Sequence, residues 1–149
     1  MRSDLTVAMK AKDRTRLAAI RMALSAITNE EVSGSAAREL SDAEVTKVLA
    51  REVKKRKESA EAFAGAGRAE QAAAERAEGE ILAAYLPEQL DDAELESIVV
   101  QAVAAVTAEL GAAPGQRQMG QVMKAANAKV AGRAEGAKVA ALVKAHLAG

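Results

Sequence analysis

SDAEVTKVLAREVKKRKESAEAF, residues 41–63, decides the fold. Its apolar side chains fall at Val45, Val48, Leu49, Val53, Ala60 and Phe63, which is the spacing of one helix face and not the alternation of a strand. The first four residues form a capping box, in which the Ser41 side chain accepts from the Glu44 amide and the Glu44 carboxylate accepts from the Ser41 amide. A long third helix therefore starts here. At 100° per residue Arg56 falls in the middle of the apolar stripe, and an arginine there needs a partner. Glu78, and Arg21 at the edge of an earlier stripe, are the candidate partners of a structural ion group.

The same spacing extends outward in both directions, so the chain reads as all-α. A short helix runs from a Ser3 cap to about Ala11. A second, capped by Asp13, carries Leu17, Ile20, Leu24 and Ile27 and ends at Val32 before SGS. AGAGR (64–68) breaks the third helix, and a fourth, alanine-rich and acidic, continues to about Ala84. LPEQLDD (86–92) joins a helix-breaking proline to an aspartate cap. The expected division lies here, with an N-terminal domain of about four helices over 1–88 and a C-terminal three-helix bundle over 89–149. In the bundle, Leu95, Ile98, Val99, Ala102, Val106 and Leu110 share one face of a fifth helix. Met119, Val122, Met123 and Ala126 mark a sixth, and Val139, Leu142, Val143 and Leu147 a seventh.

Composition narrows the chemistry. The 149 residues include no cysteine, which excludes thiol nucleophiles and Cys-based metal sites and fits a reducing compartment, with the cytoplasm as the expected location. No apolar run has the length of a signal peptide or a membrane span, so the reading is of a soluble chain without a membrane partner. Formal net charge is zero, but residues 47–57 hold six bases and one acid, and residues 58–80 six acids and two bases. Phe63 and Tyr85 are the only aromatics, too few for base-stacking modes of RNA binding.

The segments KAKDRTRLAAIRMALSAITNEE (10–31), REVKKRKESAEAFAGAGR (51–68), EILAAYLPEQL (80–90) and MGQVMKAANAKVAGRAEGAKVAALVK (119–144), in this order, resemble the GatB/YqeY family. YqeY proteins are small and stand alone. They resemble the helical and tail regions of GatB, a subunit of the tRNA-dependent amidotransferase that makes Gln-tRNA and Asn-tRNA. Glu135 stands where the family usually has Asp, and Asn127 and Ala128 where it often has Met-Pro.

AKVAGRAEG (128–136) has two readings. Gly132 and Gly136 suit a helix end and the first turn of the next helix, and need be no more than turn residues. Alternatively the amides there, beside Lys129 and Arg133, with Lys124 a few residues earlier, hold a phosphate. The resemblance adds that this region of the GatB tail is thought to touch tRNA. Lys54, Lys55 and Lys57 form the other candidate anion patch, unless they pair with Glu52, Glu58, Glu61 and the fourth helix. His146 reads as a packing and capping residue, and Glu75 and Glu78 as an acidic face opposite the basic third helix. No metal or cofactor site is expected.

Catalysis has little support in the residues. A glutamine amidase needs an activated Ser or Cys, and the chain offers neither a cysteine nor a nucleophile loop, with His146 its one histidine. There is no P-loop. The expected function is a tRNA-binding accessory protein, non-catalytic by itself. The alternatives are a module that docks on an amidotransferase or aminoacyl-tRNA synthetase, and, as the family label implies, a carbon–nitrogen ligase with glutamine as amide donor.

Overall fold

The computed structural model describes every residue from Met1 to Gly149, and its regular structure is seven α-helices and one 3-10 turn, without strands. The chain separates into two compact units, Met1–Leu86 and Pro87–Gly149. No helix is long and apolar enough to cross a membrane.

The first unit holds α1 (Arg2–Lys10), α2 (Arg14–Glu31), α3 (Asp42–Gly65) and α4 (Ala69–Ala83). Ser3 does not cap α1. The Met1 carbonyl already accepts from the Leu5 amide at 3.1 Å, so the ladder starts earlier and Ser3 lies inside the helix. Asp13 caps α2 as expected, its Oδ1 accepting from the Arg16 amide at 3.0 Å. The capping box of α3 is complete: the Glu44 amide donates to Ser41 Oγ at 3.3 Å, and the Ser41 amide donates to Glu44 Oε2 at 2.9 Å.

The Arg38 guanidinium forks onto the Glu44 carboxylate at 2.6 and 3.0 Å. That fork, reinforced by the Ser41 amide and hydroxyl, holds Glu44 down at about 2. A depressed carboxylate stabilises the fold above its unfolded value and loses that contribution as pH falls through its folded value. Loosening at the start of α3 is expected as pH drops from about 4.5 toward about 2. Thermal melts by circular dichroism across this range check it, with Glu44→Gln expected to flatten the dependence. Parallel curves for wild type and variant would show that other carboxylates dominate.

Small side chains dominate the core of the first unit. Ala19 and Ala23 of α2, Leu49 of α3 and Leu82 of α4 form one buried cluster, with Val45, Val53, Ile81 and Leu86 packed around it. Gly79, buried in α4, faces Arg56 so closely that an added Cβ would sit 3.3 Å from the Arg56 Cβ. A side chain at position 79 would push α3 and α4 apart. Beyond the end of α4, the Tyr85 hydroxyl donates to Asp4 Oδ2 at 2.5 Å, tying this end of the unit to α1.

The second unit is a bundle of α5 (Asp92–Leu110), α6 (Met119–Val130) and α7 (Gly136–Ala148), with the 3-10 turn at Gln116–Gln118 leading into α6. Asp91 and Glu94 form a second capping box, at 2.7 and 3.0 Å. Leu95, Val99, Ala102 and Val106 of α5 meet Val122, Ala126 and Val130 of α6 and Val139 and Val143 of α7 in one buried core. Gly132 has the left-handed conformation expected at a helix end, φ 78°, but Ala131 before it has φ 49° as well. For a residue with a Cβ that conformation costs about 1–2 kcal/mol. Ala131 is exposed, and the turn is held by hydrogen bonds, the Ala131 amide donating to the Asn127 carbonyl and the Arg133 amide to the Val130 carbonyl, each at 3.0 Å.

Candidate nucleic-acid interface

Consecutive residues on a helix point 100° apart, and α3 distributes its four bases accordingly. Arg56 turns toward α4 and is largely buried, while Lys54, Lys55 and Lys57 stand exposed. Lys54 Nζ lies 3.8 Å from Glu58 and Lys55 Nζ 3.6 Å from Glu52, both along the helix, and Lys57 has no carboxylate within 4.0 Å. Arg51, on the same helix, reaches across to Glu30 of α2 at 2.9 Å. Between the end of α2 and α3 lies a cleft of about 540 Å³ whose charged lining is balanced, Arg51, Lys54 and Lys55 against Glu30, Glu52 and Glu58.

The partners of Arg56 differ in part from expectation. Its Nη1 donates to Glu75 Oε2 at 3.1 Å and lies 3.7 Å from Glu78, while Nη2 is 4.0 Å from Glu52. Glu75 and Glu78 are thus turned inward and not a solvated acidic face. Burial, with the Glu75 charge added, pushes the Glu78 carboxyl above its ordinary range, against the pull of Arg56. Arg21 does not belong to this group: it is exposed on α2 and makes no ion pair, and a second cation would in any case repel Arg56.

The turn between α6 and α7 disperses the cations that the sequence places side by side. Arg133 folds back on α6, donating from Nε to the Val130 carbonyl at 3.1 Å and from Nη2 to the Lys129 carbonyl at 2.7 Å. It thereby gives the Lys129 carbonyl at the helix end a donor and adds a second to the Val130 carbonyl, which also accepts from the Arg133 amide at 3.0 Å. Lys129 Nζ donates to Gln101 of α5 at 2.8 Å. The carbonyls of Gly132 and Arg133 accept from Gln89 and Leu90, at 3.5 and 2.8 Å, which pins the turn to the segment before α5. Gly136 opens α7 in free space, where an added Cβ would meet nothing within 4 Å. Lys124 is exposed and without an ion pair.

His146, read from the sequence as a packing residue, is exposed and has its Nε2 2.5 Å from Glu96 of α5. Lys138 of α7 binds Asp92, and that contact raises the lysine above its ordinary value. Both ties cross from α7 to α5.

Bases without a carboxylate partner also occur outside the two candidate anion patches. Arg2, Lys10, Lys12, Arg14, Arg16 and Arg21, on α1, α2 and the turn between them, are all exposed, and none has an ion pair within 4.0 Å. The available signal was the charge count of this one hairpin, which a search for the densest run of bases passes over.

A model of the family described as Yqey-like protein matches residues 1–147 of the chain. None of the curated proteins matches it.

Proposed function

The chain belongs to the Yqey-like protein family, and from that premise we propose an accessory protein that binds folded RNA, with tRNA as the partner, and that is non-catalytic by itself. The observation that carries this reading is the state of Lys54, Lys55 and Lys57. They project from a single helix, and Lys54 and Lys55, at 55 and 66 % exposure, are held only by carboxylates 3.6–3.8 Å away. Exposed pairs of this kind contribute about 0–1 kcal/mol, so phosphates can replace the carboxylates with little loss. The bound RNA is read by shape and backbone, since the surface offers no aromatic platform. Lys124 adds a cation on the second unit, whereas Arg133 is engaged with its own helix. A tRNA partner places the protein in the cytoplasm, and the amidotransferase that acts on tRNA is the natural third component.

A gel shift with bulk tRNA over a series of salt concentrations tests the reading. Affinity should fall by about 0.7–0.9 log units per log unit of salt for each phosphate neutralised. Lys54→Gln/Lys55→Gln/Lys57→Gln should lower the slope by up to about three such contacts. Absence of any shift at low salt would sink the RNA reading, and an unchanged slope in the triple variant would remove α3 from the interface. The protein-docking alternative has its own observation, an apolar groove of about 550 Å³ lined by Met1, Leu5, Leu24, Ile27 and Val45. A shift seen only when purified amidotransferase is added would favour that alternative.

A further inference from the structure

The zero net charge conceals an uneven distribution. The first 21 residues hold six bases and two acids, whereas from Met22 to Leu86 acids outnumber bases by twelve to nine. Both acids of the basic segment are committed to the fold. Asp4 accepts from the Tyr85 hydroxyl and lies 3.5 Å from the amino terminus, and Asp13 caps α2 through the Arg16 amide. Arg16 borders the corner formed by Asp4 and Tyr85, so its charge is partly screened there. Arg2, Lys10, Lys12, Arg14 and Arg21 remain, exposed and without carboxylate partners.

These five residues are spaced along the length of the hairpin. Lys10 ends α1, Lys12 occupies the turn with φ 55°, and Arg14 begins α2, so three cations gather at the tip. Arg21 follows Arg14 by seven residues, on the same face and about 10 Å further along the axis. Arg2 lies beside Leu24 and Thr28, further along α2 again. Cations strung along a helix over roughly 20 Å do not converge on one small anion. They match a polymer whose charge repeats.

We propose that the α1–α2 hairpin is a phosphodiester-binding surface, at which Arg2, Lys10, Lys12, Arg14 and Arg21 meet the backbone of RNA. The proposal rests on the RNA-binding reading above and adds to it a contact area separate from the lysines of α3. Three of the five are arginines, whose planar guanidinium engages phosphate oxygens in pairs. An anionic membrane is less well matched. Val7 and Met9 are exposed on α1, but the aromatic beside Val7, Tyr85, is half-buried with its hydroxyl engaged by Asp4, and the apolar area for interfacial anchoring is small.

The test uses the full chain, fluorescently labelled bulk tRNA and a salt series, with Arg14→Gln/Arg21→Gln as the main variant and Lys10→Gln/Lys12→Gln as the second. Circular dichroism should be unchanged, because these side chains are exposed and partnerless. Two lost phosphate contacts should lower the salt slope by about 1.4–1.8 and weaken binding at 0.1 M salt roughly 25- to 60-fold. If wild type binds tRNA and both hairpin variants keep its affinity and slope, the hairpin surface is refuted while the RNA reading stands. If wild type binds no tRNA at all, the RNA reading falls and takes this proposal with it. A parallel arm with phosphatidylserine-containing vesicles completes the test: hairpin-dependent vesicle binding together with hairpin-independent tRNA binding overturns the RNA assignment in favour of a lipid surface.

Discussion

Replacing Arg56 by alanine should destabilise the N-terminal unit by about 3–5 kcal/mol, the range for removing one partner of a buried ion pair. Arg56 is 15 % exposed and is the cation shared by Glu75, Glu78 and Glu52 at 3.1, 3.7 and 4.0 Å. Without it these carboxylates face one another at the α3–α4 contact. Glu78 already has its pKa raised by burial and by Glu75, and would lose the one charge that opposes that rise. The loss should therefore shrink as pH falls through the carboxylate range and the group protonates. Arg56→Lys should recover only part, because a single ammonium cannot meet Glu75 and Glu78 with one nitrogen and Glu52 with a second, as the guanidinium does. Urea unfolding at two pH values measures all of this, and a loss below 1 kcal/mol for Arg56→Ala would show that the cluster reaches water and needs no cation.

The second large effect belongs to the other core. Leu95 is fully buried among Val99, Val122, Val139 and their neighbours, and Leu95→Ala should cost about 2–5 kcal/mol. For a unit of about sixty residues, total stability is roughly 3–9 kcal/mol, so this one truncation consumes a large share of it. Amide hydrogen exchange should show protection lost across α5, α6 and α7 together, because all three contribute to the same cluster. Protection lost in α5 alone would mean that the three helices do not form one cooperative core.

How much of this was legible in the sequence depends on how local each cause is. The caps at Asp13 and Ser41 and the break at AGAGR are set by residues a few positions apart, and the structure has them where the sequence implies. Arg56 was legible as an inward arginine because helical phase is a local property too. Its choice of Glu75 over Arg21 was not, since that depends on which helix lies opposite. The same limit applies at Arg133, where phosphate and the end of its own α6 are equally plausible acceptors until the turn has a shape. Nothing in VAGR marks Ala131 for a left-handed conformation. The hairpin bases were visible, but the pairing of most bases on α3 was not, and only the contrast between the two sets makes the hairpin stand out.

The Tyr85–Asp4 hydrogen bond has a consequence for how unfolding is observed. The chain has no tryptophan and a single tyrosine, and that tyrosine sits at the α1–α4 corner of the first unit. Neither aromatic residue lies beyond Leu86. Tyrosine fluorescence and near-ultraviolet dichroism therefore report the first unit alone, and the three-helix bundle is silent to both. Far-ultraviolet dichroism reads helices in both units. Agreement between the two signals, the usual test of two-state unfolding, becomes in this protein a direct measure of whether the two units melt together.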